Sequence, residues 1–126
     1  MRLLYVDDDR VNTMLFEETC RWAGDVDVAS AASGAEALDV ARQFRPDVLV
    51  LDLHLPDTTG YALLAVLRSA AGRPDAPAFL CTADEPEVVA GSARAAGFDG
   101  CWSKPVDVRA VLAELERLGQ RNGAPD

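Results

Sequence analysis

The 126-residue chain carries 21 acidic against 12 basic residues, a net charge of −9, and 49% of its residues are hydrophobic. That length accommodates one domain burying roughly 65–70% of its unfolded surface, with no room for a second. The acidic balance, and the lack of any two adjacent Lys or Arg residues, exclude direct nucleic-acid binding and attraction to an anionic membrane.

No apolar stretch approaches the roughly 18 residues of a membrane span. A strand begins within two residues of Met1, which leaves no space for a leader segment. Cys20, Cys81 and Cys101 are an odd set without a Cys-x-x-Cys pair and read as buried free thiols, in keeping with a reducing cytoplasm.

In chain order, strand-like runs fall near residues 3–7, 26–31, 47–52, 77–82 and 99–103, and each is followed by a segment of helical spacing. Val11, Met14, Leu15 and Trp22 trace an apolar stripe on the first helix, Ala35, Leu38 and Ala41 on the second, and Tyr61, Leu64 and Leu67 on the third. On the fourth the core positions are Val88, Val89, Ala93 and Ala96. Gly91 sits among them at a cost of about 0.8–1.0 kcal/mol relative to Ala, so this helix is the weakest. Its glycine has two readings, close approach to a neighbour or a mobile element near the site. The fifth helix shows Val108, Val111, Leu112, Leu115 and Leu118 on one face. The domain occupies residues 1–119, and 120–126, with Gly, Asn and Pro, read as a frayed tail. Strict alternation predicts an α/β fold, a doubly wound parallel sheet with right-handed crossovers and helices on both faces.

Four of the apolar runs end in reactive polar residues: Asp7 and Asp8, Asp52, Thr82 and Lys104. In open α/β sheets ligands bind beyond the carboxyl ends of the strands, where strand order reverses. The acids flank such a point if the order is 2-1-3-4-5, an order taken from the general rule for doubly wound sheets. Two like charges about 4 Å apart repel by roughly 4 kcal/mol at an effective dielectric near 20, so three clustered carboxylates must protonate, separate or bind a cation. All-oxygen ligands with open positions suit Mg²⁺, with Mn²⁺ as a substitute. Asp52 is then the best-placed nucleophile, Lys104 a mobile positive charge and Thr82 a hydroxyl donor for phosphoryl oxygens.

These pieces resemble the receiver domain of two-component response regulators over nearly the whole chain. The segment Asp52-Leu53-His54-Leu55-Pro56-Asp57-Thr58-Thr59-Gly60 is similar to the family's loop after the phosphoacceptor. The resemblance implies a flavodoxin-like (βα)5 fold in which Asp52 takes a phosphoryl group from a histidine kinase or histidine phosphotransfer protein. It also implies Mg²⁺ held by Asp8, Asp52 and the His54 backbone carbonyl, with Asp7 assisting through a bound water. Thr82 and Lys104 become the phosphoryl-binding switch, the Lys104–Pro105 bond is a candidate cis peptide, and His54 and Asp84 become candidates for setting the dephosphorylation rate. An output protein, or an effector domain outside this chain, would read the face formed by the fourth helix, fifth strand and fifth helix. The domain would then be a cytoplasmic switch that catalyses only its own phosphorylation and dephosphorylation.

Two positions depart from or qualify the pattern. Cys101 stands three residues before Lys104, where many receivers carry Tyr or Phe. Trp102 beside it points to the opposite face of a regular strand, so it does not take over. Asn12, after the acidic cluster, resembles receivers attached to hybrid sensor kinases. Individually, each site residue has a plainer reading: Asp8 or Asp9 as a helix cap, Thr82 as a capping hydroxyl, Lys104 as a solvated charge and His54 as a loop residue. A Mg²⁺-dependent phosphatase would want an acid at position 54. A constitutive interaction domain would not need the five site residues, and a flavin site would need donors where the first loop has acids.

Overall fold

The computed structural model describes residues 1–104 and 106–123. Five strands alternate with five helices: β1 (Arg2–Val6), α1 (Arg10–Ala23), β2 (Asp27–Ala31), α2 (Gly34–Phe44), β3 (Val48–Asp52), α3 (Gly60–Ala71), β4 (Ala78–Thr82), α4 (Pro86–Ala96), β5 (Gly100–Ser103) and α5 (Val108–Gly123). The sheet is parallel throughout, in the order β2-β1-β3-β4-β5. From β1 the chain steps outward to β2, then returns across β1 to β3 and continues the other way. The reversal therefore falls between β1 and β3, the two strands that lead into the acids.

Two apolar clusters cover the sheet, and the period of two along each strand assigns residues to them. Leu4, Val6, Leu49, Leu51, Ala78 and Leu80 face α2, α3 and α4, whereas Leu3, Tyr5, Val48, Val50, Phe79 and Cys81 face α1 and α5. Burial on both faces explains why β3 and β4 read as unbroken apolar runs.

The helices correct four details of the sequence reading. On α1 the buried face is Phe16, Thr19 and Cys20, while Val11, Met14, Leu15 and Trp22 stand exposed, Trp22 at 79%. The Tyr5 ring selects that face by stacking on Phe16, with centroids 4.2 Å apart and planes 12° apart. On α2 the core positions are Gly34, Ala37 and Ala41, with Ala35 outside. On α4 Val89 and Ala93 are buried while Val88 is 72% exposed. A Cβ added at Gly91 would meet nothing within 4 Å, which removes close approach as the reason for that glycine. The α4 N-cap residue, Glu85, makes no side-chain cap hydrogen bond. The α5 helix runs from Val108 through Gly123, and 124–126 lie outside the described residues.

Candidate functional site

Each site residue leaves the sheet at the carboxyl end of a strand. Asp7 continues β1 by donating its N–H to Ala31 O at 3.0 Å, and Asp9 then caps α1, its Oδ1 accepting from Val11 N and Asn12 N. Asp8, between them, is exposed, whereas Asp7 and Asp52 are buried. Asp52 closes β3 opposite Cys81, and Thr82 closes β4 opposite Ser103. Lys104 follows β5 and donates its backbone N–H to Thr82 O at 2.8 Å.

Gly60 lets the loop after Asp52 fold back against the strand end. A Cβ there would lie 2.7 Å from Asp52 O and 2.9 Å from Leu80 Cδ1. The loop is fastened at its far side by Asp57, whose carboxylate accepts from Gly34 N at 2.8 Å and Ala35 N at 3.0 Å. Those two N–H bonds hold the Asp57 carboxyl below its usual range. The Asp57 clamp escapes a sequence reading because its partners lie 22 and 23 residues upstream.

One ammonium group joins two of the acids. Lys104 Nζ lies 2.9 Å from Asp7 Oδ2 and 2.9 Å from Asp52 Oδ2, and its side chain is 14% exposed. Asp7 is further held through Oδ1 by Asp9 N–H and through Oδ2 by the Tyr5 hydroxyl, both at 2.9 Å. Burial pushes the Asp7 carboxyl up, but these donors outweigh it and hold the group below the ordinary range. For Asp52 burial prevails over Lys104, the charge of Asp7 adds to it, and the carboxyl is pushed up. Burial opposes the charge on Lys104, yet its two carboxylate partners raise it above the usual lysine value.

Asp7, Asp8 and Asp52 each present a carboxylate oxygen within 4.8 Å of the others. With Lys104 as the ammonium partner among the described residues, three carboxylates leave two negative charges over. An all-oxygen donor set with that excess fits one hard divalent cation.

On the other side, Thr82 Oγ1 accepts from Asp84 N at 3.1 Å, and among the described residues its own proton donates to no protein acceptor. His54 N–H points to Asp52 Oδ1 at 3.4 Å. The exposed His54 ring donates from Nε2 to Asp84 Oδ2 at 3.1 Å, bridging the loops after β3 and β4. The structure thus brings together Asp7, Asp8, Asp52 and Lys104, and joins His54 to Asp84. The Lys104–Pro105 bond lies outside the described residues. Cys101 packs with the α2, α3 and α4 side of the core. Trp102 is on the opposite side, stacked on Phe79 at 4.8 Å. Tyr5 was missed as a site residue although strand period places it on the same face as Asp7, two residues on.

Relatives of this chain carry the same domain in different settings. It is 36% identical over 128 residues to the response regulator MprA of Mycobacterium avium, covering all of this chain and 54% of that protein. It is 33% identical over 130 residues to the virulence sensor protein BvgS of Bordetella pertussis, covering 99% of this chain and 10% of that protein. The chain thus spans about half the length of the first of these relatives and a tenth of the second. Among solved structures, the chemotaxis protein CheY4 of Vibrio cholerae superposes with a TM-score of 0.82 at 28% identity, over 92% of this chain and 96% of that one. The receiver domain of the sensor histidine kinase PA1611 of Pseudomonas aeruginosa, solved with magnesium coordinated in its active-site cleft, gives 0.73 at 28% identity over 95% and 94%. The match to the family as a whole runs from residue 3 to residue 116 and leaves only the two ends uncovered: this chain belongs to the response regulator receiver domains of two-component signalling.

Proposed function

We propose that Asp52 is the phosphoacceptor of this receiver and that its phosphorylation switches a partner-binding face. The observation that carries this reading is the Lys104 ammonium group seated 2.9 Å from both buried carboxylates at the strand-order reversal. In the transfer, an Asp52 carboxylate oxygen attacks the phosphorus of a phosphohistidine. The new O–P bond forms as the P–N bond breaks, and the imidazole leaves with the bonding electron pair. Asp8, Asp52 and the His54 carbonyl, with Asp7 through water, would hold Mg²⁺, which when bound supplies charge neutralisation for the incoming group. Asp7 stays ionised and keeps the cluster acidic. Lys104 exchanges its carboxylate contacts for a phosphoryl oxygen, and Thr82 donates its free proton to another.

Two linkages support a readout on the far face. Lys104 N–H is tied to Thr82 O, and Asp84 N–H to Thr82 Oγ1, so drawing in either side chain pulls the loops after β4 and β5 together. The α4 helix that follows lacks a side-chain cap and leaves Val88 in solvent, which suits an element whose position is easily shifted. An output protein or effector domain is then selected through the α4, β5 and α5 face, and a phosphorylated histidine kinase or phosphotransfer protein is the donor. The His54–Asp84 bridge stands at the mouth of the site, where it governs how water reaches the acyl phosphate.

The test is mass spectrometry of the chain with acetyl phosphate and Mg²⁺. One phosphoryl group on Asp52, absent from Asp52→Asn, is the expected result, and an unlabelled Asp52 defeats the proposal. His54→Ala and Asp84→Ala should each change the lifetime of the labelled form. Sustained turnover of a phosphomonoester would instead identify a phosphatase working through an aspartyl-phosphate intermediate.

A further inference from the structure

Tyr5 is almost completely buried, at 1% exposure, yet it is the one aromatic residue in an otherwise aliphatic strand run and its hydroxyl is aimed at the site. It donates to Asp7 Oδ2, the same oxygen that Lys104 contacts, each at 2.9 Å. The two donors differ in what holds them. Lys104 sits at the end of a flexible four-carbon stem beyond β5. Tyr5 is in the middle of β1, paired to Ser30 on one side and Val50 on the other, and its ring is stacked on Phe16. The ring cannot follow a movement of the lysine.

We infer that Tyr5 is a positioning residue that keeps the Asp7 carboxylate oriented for the metal when Lys104 withdraws. This rests on the proposal that Lys104 leaves Asp7 for a phosphoryl oxygen. At that moment Asp7, whose side chain has no solvent exposure, loses its ionic partner on Oδ2 and would be free to turn. The Tyr5 hydroxyl remains on Oδ2 and Asp9 N–H on Oδ1, so both oxygens stay fixed. The acid cluster therefore keeps its shape while its cation is exchanged.

The test is calorimetric titration of Mg²⁺ into the full chain as wild type, Tyr5→Phe, Lys104→Met and the double variant. Phenylalanine preserves the stack on Phe16 and removes one hydroxyl. With Lys104 present, its loss should change the Mg²⁺ dissociation constant less than about twofold. With Lys104 replaced, the same change should weaken binding about tenfold, the low end for loss of a partner behind a metal ligand. Equal factors in the two backgrounds, which a general packing role produces, overturn the inference, as does a chain that takes up no Mg²⁺. The wild type offers a check independent of any variant. The Tyr5 hydroxyl proton should remain slow to exchange by NMR after Mg²⁺ and beryllofluoride are added, and its loss overturns the inference too. Neither measurement requires covalent phosphorylation, so a failure to label Asp52 would strike the proposed function separately.

Discussion

Replacing Lys104 by Met removes the charge but keeps much of the stem, and the cost can be worked from the site. The ammonium group lies 2.9 Å from each of two carboxylates whose side chains are 0% and 8% exposed. Without it, two like charges about 4 Å apart repel by roughly 4 kcal/mol at an effective dielectric near 20. Breaking a buried pair by deleting one member costs about 3–5 kcal/mol. Asp8, the third acid of the cluster, is exposed, which points to the lower end, about 3 kcal/mol. In a domain of this size each kcal/mol moves the midpoint by roughly 3–5 °C, so unfolding at pH 7 without Mg²⁺ should occur about 10–15 °C lower. Saturating Mg²⁺ should raise the variant's midpoint at least about twice as far as the wild type's, because no ammonium competes for the oxygens. Thermal unfolding followed by circular dichroism reads both numbers. A loss below about 1 kcal/mol, the worth of a surface ion pair, would refute the reasoning. An equal Mg²⁺ response in both proteins would refute it as well.

Acidification should separate the two carboxylates. Asp52 titrates above its ordinary value of 3.8, so the native state binds its proton first and stability falls as pH rises through the raised value; Asp7, held low, acts oppositely and loses its contribution only as pH falls below 3.8. With Lys104 still partnered by Asp7, Asp52→Asn should therefore be more stable than wild type at pH 7 without Mg²⁺, and the gap should narrow in denaturant titrations as the pH falls toward 3.8. Gly60→Ala should cost about 1–3 kcal/mol by forcing a methyl group against Asp52 O and Leu80. It should also slow Asp52 labelling, and normal stability with normal labelling would contradict the close approach. Asp57→Ala should release the Gly34 and Ala35 amides, measured as faster hydrogen exchange at those two positions with little change elsewhere.

Strand positions were legible because β3 and β4 are buried on both faces, which leaves an apolar run ending abruptly at Asp52 or Thr82. The site followed from those endings, since a parallel sheet brings its carboxyl termini to one edge. Helix faces were less legible. The α1 helix carries two apolar stripes, and the one with more hydrophobic side chains is outside. The inner one includes Thr19 and Cys20, and the Tyr5–Phe16 stack that decides between them joins residues eleven positions apart. Tyr5 sits within an apolar run and its ring does pack in the core, so only its hydroxyl belongs to the site and the run gives no sign of it. Partners across the fold, such as Asp57 with α2 or His54 with Asp84, depend on loop paths that no local period encodes.

The outward stripe of α1 places the chain's two indoles in different surroundings. Trp22 is 79% exposed, so its emission should lie to the red and should not respond to events at the strand ends. Trp102 lies flat against Phe79, two residues before Lys104, where a shift of the loop should alter its quenching. Trp22→Phe, a change on the water-facing side of its helix, would leave a single indole, two residues from the lysine, and make the switch visible without a label.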